Sequence, residues 1–188
     1  MTVTASRPDT RYGATAIALH WLLAMALVGL FGMGLYMHEL PMSPQRLKLY
    51  NWHKWAGTTV LALSLVRLLW RLLRRPPALP TQVLAAMPGW QRIAHHGTHG
   101  LMYALFFAVP LVGWAYSSAA GFPIVWFGVL PLPDVVGVDK ALAAQLKPWH
   151  MRLAYALAAL VVLHVAAVIK HQFIDRDGLL DRMRPRRT

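Results

Sequence analysis

The sequence contains no cysteine. Disulfides, thiolate metal centres and attachment of a covalent c-type haem through Cys-x-x-Cys-His are therefore excluded, and any metal or haem must hang on histidine or methionine. Acidic residues are scarce too, with 7 Asp and Glu against 19 Lys and Arg, for a formal charge of +12. Charged residues of both signs reach only 14%, against 57% hydrophobic, whereas a soluble domain carries about 25% charged residues. Such an excess of positive charge can mark a nucleic-acid binder, but here the basic residues sit in clusters between long apolar runs. No basic helix faces outward as that function requires, so no nucleic-acid partner is expected. With 188 residues, one compact membrane domain is the natural reading.

What the sequence does have is four runs long enough to cross a hydrocarbon core, which takes about 20 helical residues. They fall at 14–37, 52–73, 93–118 and 149–173. The first follows Arg7 and Arg11 as a signal peptide might, but it is too long for that and lacks a small-x-small cleavage site, so it reads as a retained span. Between the spans lie an outer loop at 38–51, a proline-rich inner strap at 74–92 and a longer outer loop at 119–148. Within that last loop, the end of 134–146 reads as a short interfacial helix. A basic tail follows at 174–188. Four spans put both termini on one side. That side gathers Arg7, Arg11, Arg71, Arg74, Arg75, Arg92, Lys170, Arg176, Arg182, Arg184, Arg186 and Arg187, against Arg46, Lys48, Lys54, Lys140, Lys147 and Arg152 opposite. The positive-inside rule then predicts an all-α, four-transmembrane-helix bundle with N- and C-termini cytoplasmic. Trp52, Trp55, Trp70, Trp90 and Trp149 fall near span ends, as an aromatic belt does.

Histidines carry the chemistry. His20, His53, His99, His150 and His164 fall inside or at the mouths of the spans, where polar side chains are costly and usually turn inward to a function. A single membrane histidine serves equally well in interhelical hydrogen bonding or a proton relay, but five at matched depths favour ligation. His150 and His164 are 14 residues apart, about 21 Å of helical rise at nearly the same azimuth. His53 starts the second span at the depth of His150, and His20 lies at the depth of His164. The expectation is two facing pairs, His53 with His150 outside and His20 with His164 inside. Two imidazoles facing across a bundle core form the axial set of a six-coordinate haem, whereas zinc would want further ligands. A haem so held favours electron transfer over ligand binding at iron. Arg67, 14 residues after His53, projects from nearly the same face at the inner end, where it can pair with a haem propionate. Arg71 and Arg74 read instead as snorkelling cations.

From about Arg11 to Arg187 the chain resembles the bacterial di-haem cytochrome b-561 family. The likeness rests on His20-Trp21, Trp52-His53-Lys54 with Gly57 and Val66-Arg67, His96-Gly97-Thr98-His99, Trp149-His150, His164 and a basic Met-Arg-Pro-Arg-Arg end. It implies four spans in the bacterial inner membrane, two bis-histidine haem b groups, with His20 and His164 matching the inner iron ligands and His53 and His150 the outer ones, and ubiquinone at the inner side. It also suggests superoxide as the electron donor and a superoxide:ubiquinone oxidoreductase as the function. His99 and His171 fall beside the inner pair and are candidates for the quinone side, with His99 also able to displace His20 or His164 as a ligand. Lys54 and Arg152 flank the outer ligands, and with Arg46, Lys48, Lys140 and Lys147 they read as a ring that steers an anion such as superoxide. His95 and His96 read as interfacial polar residues and His38 as an outer-loop residue. Two other classes compete: a haem b anchor of a larger complex, such as a hydrogenase or formate dehydrogenase with a protein redox partner, and a haem-free transporter with a histidine relay. Membrane lipid surrounds the chain in every case.

Overall fold

A computed structural model describes residues 11–185; Arg7, Arg186 and Arg187, which entered the charge count, lie outside the described residues. Four long helices cross the molecule: α1 (Ala14–Glu39), α2 (Pro44–Leu73), α4 (Gly89–Ala119) and α5 (Lys140–Lys170), with a short α3 (Thr81–Ala86) between the second and third. Each of the four is long and apolar enough to span a bilayer. Large apolar side chains on their outer faces, among them Val28, Leu65, Val162 and Leu163, are exposed. At about 25 cal/mol per Å² of apolar surface, such faces are unfavourable in water and are satisfied by lipid. The protein is an all-α, four-span membrane bundle.

The helices run past the expected spans. α2 begins at Pro44 rather than 52, because Ser43 caps it, its hydroxyl accepting the Arg46 N–H at 3.2 Å, and Pro44 supplies a preset first turn. Hydropathy hides these residues, since Arg46 and Lys48 sit among them. α4 starts at Gly89, directly after Pro88, and the strap at 74–92 is thus partly helical. The separate interfacial helix expected near 134–146 is not seen. Asp139 accepts the N–H groups of Ala141 and Leu142 at 2.8 and 3.0 Å, and the helix it starts continues through Pro148 into the fourth span.

α4 packs on α5, α1 on α2 and α2 on α4, and Phe31 of α1 meets Tyr155 of α5 edge-on at 5.4 Å. At the end opposite the termini, the loop between α4 and α5 folds over α2 around a two-residue hairpin, Val125–Trp126 with Leu130–Pro131. The Trp55 indole donates to the Val125 carbonyl at 2.6 Å, and Trp126 to the Thr59 hydroxyl at 3.2 Å. At the terminal end the described part of the basic tail is tied into the bundle. Arg182 is buried and donates to the carbonyls of Pro77 and Ala78 at 2.7 and 2.9 Å. The Tyr12 N–H donates to the Arg182 carbonyl at 3.2 Å, and Trp21 donates to the Met183 carbonyl at 2.8 Å.

Candidate haem and electron-transfer sites

Both expected histidine pairs come together. His53 and His150 have ring centroids 6.2 Å apart, and His20 and His164 have theirs 6.4 Å apart, each pair nearly perpendicular. Two metal–imidazole bonds of about 2 Å, added to the half-widths of two imidazole rings of about 1.1 Å each, span roughly 6 Å. Each pair is therefore spaced to hold one metal centre between its rings. Among the described residues, the only cluster of three metal-ligating side chains lies elsewhere. The two imidazoles of each pair thus need a group that brings its own equatorial ligands, as a porphyrin does.

The pair at the end opposite the termini fits an axial set well. His150 Nδ1 lies 3.0 Å from the Val109 carbonyl, which can only accept, so the ring proton is on Nδ1 and the Nε2 lone pair is free to ligate. Gly113 makes this approach possible: a Cβ there would lie 2.8 Å from His150 Cε1 and 3.0 Å from Nδ1. Gly34 of α1 lies against His53, whose Nδ1 is buried without a partner. Ser64, 11 residues after His53 and hence on nearly the same helical face, is fully buried with an unpartnered hydroxyl. Unmatched polar groups of this kind are costly in a finished core and suit an interior that receives a further group.

At the terminal end, His164 has two imidazole neighbours, His20 at 6.4 Å and His99 at 5.2 Å. The second is about 1 Å shorter than either facing pair, a direct ring contact with no room for a metal ion. His99 donates from Nδ1 to the His95 carbonyl at 2.7 Å. Arg67 Nη1 lies 3.1 Å from His20 Nδ1, and its Nε donates to the Tyr103 hydroxyl at 3.2 Å. A guanidinium only donates, so His20 Nδ1 accepts here and the ring proton sits on Nε2. Ligation through Nε2 requires the other tautomer, and with it a turn of Arg67 away from the ring. The inner set fits on that one condition.

His171 is the first residue of a π-helical turn, His171–Asp175, and its Nδ1 lies 2.6 Å from Asp177 Oδ2 and 3.2 Å from Asp175 Oδ2. At the opposite end, Lys54 donates to the carbonyls of Phe122 and Pro123, both at 3.3 Å. Arg152 stacks on Trp149, Lys48 on Trp52, and Arg46 bonds the Leu40 carbonyl and the Tyr50 hydroxyl. All these partners are neutral, and among the described residues every ion pair lies in the segment 170–184. The positive charge at that mouth is thus positioned by neutral groups, and among the described residues none of it is ion-paired to Glu39, Asp134 or Asp139 of the same end. Sequence reasoning missed Gly113, Tyr103 and Asp177, and read Arg182 only as one of the cations beside the termini. Only the acidic residues after His171 left a signal, Asp175, Asp177 and Asp181 in an otherwise basic tail.

The chain matches the family described as prokaryotic cytochrome b561 over residues 11–186. Cytochrome b561 homolog 2 of Escherichia coli strain K12 is 33% identical over 174 residues, covering 92% of this chain and 90% of that protein. The Yersinia pestis protein named probable superoxide oxidase CybB is 28% identical, covering 94% and 97%. Cytochrome b561 homolog 1 of the same Escherichia coli strain is 29% identical, covering 94% and 98%.

Proposed function

The chain belongs to the prokaryotic cytochrome b561 family of haem-binding membrane proteins, and from that premise we propose that it is a superoxide:ubiquinone oxidoreductase with two haem b groups. The observation that carries this reading is the pair of matched histidine spacings, 6.2 and 6.4 Å, in one apolar four-helix bundle. His53 and His150 would hold one haem and His20 and His164 the other, with Arg67 beside His20 available to pair with a propionate. Held by these histidine pairs, the haems would supply one-electron carriers. The chain lies in the bacterial inner membrane with the terminal end cytoplasmic, as the lysine and arginine distribution favours.

The protein's own residues then divide the work. At the periplasmic mouth, Lys54, Arg152 and their basic neighbours outnumber the carboxylates Glu39, Asp134 and Asp139, and the net positive charge beside His53 and His150 draws in a small anion. The relative named probable superoxide oxidase supports superoxide as that anion. At the cytoplasmic end, His99 and His171 lie outside the ligand pairs and are placed to contact a quinone carbonyl and handle its protons. The test is stopped-flow mixing of purified, quinone-loaded protein with superoxide while haem absorbance is followed. Rapid haem reduction followed by quinone-dependent reoxidation is expected. Haems that stay oxidised in the presence of superoxide would rule out this donor.

A further inference from the structure

His171 is held by a small built device. The π-helical turn His171–Asp175 ends in Arg176, which takes the left-handed conformation at φ 51°, and the Asp177 N–H returns to the His171 carbonyl at 3.3 Å. Left-handed backbone is unfavourable for a non-glycine residue, and π turns gather at functional positions. The result is to fold Asp177 back onto the imidazole two turns after the last haem-ligand candidate. Its carboxylate is fixed at both oxygens, Oδ2 at 2.6 Å from His171 Nδ1 and Oδ1 accepting the Leu179 N–H at 3.1 Å. The other carboxylate, Asp175, is farther from the ring at 3.2 Å, and Lys170 already engages it at 2.6 Å. The same three side chains are grouped as for a cation, but Lys170 already supplies positive charge there.

We propose that Asp177 is a positioning residue for His171. It accepts the Nδ1 proton, fixes the tautomer and ring orientation, and leaves Nε2 as the nitrogen that exchanges protons with the reduced quinone. This rests on the quinone reading given above. In the overall reaction two superoxide anions each lose one electron to become dioxygen, and ubiquinone gains those two electrons and two protons from the aqueous phase. The step assigned to His171 moves one of those protons: Nε2 takes up a proton from water to give the imidazolium, then the Nε2–H bond breaks as an O–H bond forms at a quinone carbonyl oxygen, which returns the neutral Nδ1–H ring. Asp177 stays ionised throughout, as the carboxylate partner of a catalytic histidine does. An asparagine in its place can either accept from or donate to Nδ1, so it no longer selects the tautomer.

The experiment uses the full-length, haem-loaded protein and water-soluble ubiquinone as the probe. In Asp177→Asn, kcat for quinone reduction should fall at least tenfold, with KM for quinone and haem content unchanged; His171→Ala should fall as far, and Asp177→Glu should recover part of the rate. Wild-type kcat in Asp177→Asn with a large loss in His171→Ala overturns the positioning role. Loss of haem in Asp177→Asn overturns it too, by showing a purely structural part. Wild-type turnover in both variants sinks the underlying placement of quinone beside His171. Independently of any variant, histidine ¹⁵N NMR of the dithionite-reduced, diamagnetic protein should show His171 protonated at Nδ1. An Nε2-protonated neutral ring would refute the proposal whatever the quinone does.

Discussion

Replacing Gly113 with alanine isolates the geometry of one haem site from the stability of the helix that carries it. The new methyl group would sit 2.8 Å from His150 Cε1, whereas ordinary contact begins at 3.4 Å. The ring must retreat by about 0.6 Å, which exceeds the roughly 0.5 Å tolerance within which a ligating constellation stays productive. That retreat also stretches the 3.0 Å hydrogen bond from His150 Nδ1 to the Val109 carbonyl past the limit for a useful bond. Loss of the group that orients a ligating histidine typically costs 10- to 100-fold in affinity for the metal centre. Helix propensity works the other way, since alanine is favoured over glycine by about 1 kcal/mol in a helix interior, so a loss cannot be ascribed to a weakened α4. The expected outcome is a haem-to-protein ratio falling from about two towards one, read by pyridine haemochrome, with the remaining haem retaining its spectrum. Gly97→Ala, where a Cβ meets nothing within 4 Å, is the matched control and should keep both haems. A Gly113→Ala protein with two haems and an unchanged reduced-minus-oxidised spectrum would refute the role given to this contact.

Three further outcomes follow from the same geometry. His53→Ala and His150→Ala should each lose the haem at the periplasmic end and keep much of the other, while His20→Ala and His164→Ala do the reverse; a stoichiometry near two in any of the four would overturn the pairing. His99→Ala should keep both haems, because its 5.2 Å ring contact with His164 leaves no space for a metal, but should slow haem reoxidation by quinone. A missing haem equivalent there would move His99 into the ligand set. The rate of haem reduction by superoxide should fall steeply with added salt, within the 10- to 1000-fold range of electrostatic steering. Charge reversal at Lys54 or Arg152 should slow it with both haems bound, whereas a rate indifferent to salt and charge would point to a neutral donor or a docked protein.

What could be read from the sequence is what a rigid helix transmits. A 14-residue spacing is fixed by helical geometry, so the facing of His53 on His150 and of His20 on His164 followed once the spans were recognised. The start of α2 was written in Ser43 and Pro44 but masked by the hydropathy of the residues after them. Gly113 was not distinguishable from the other small residues of the spans, because what singles it out is the partner across the interface. Asp177 and Arg182 depend on a left-handed residue and a π turn, which break the regular spacing by which side chains can be placed. Arg67 was assigned to the correct end, yet its contact with His20 was not foreseen, since spacing fixes an azimuth and not the partner a long side chain chooses.

The tail that closes over the terminal end has a consequence for biogenesis. Translation delivers Arg182 and Met183 after all four helices, and these residues join Tyr12, Trp21 and the 77–78 segment. Until they emerge from the ribosome, the contacts they make between the start of α1 and the connection between α2 and α3 are not formed. The opposite end, roofed by the loop between α4 and α5, is closed over as soon as that loop folds onto α2. The fastening at the terminal end is thus the last to form, and a fusion placed directly after Arg184 burdens the segment that makes it.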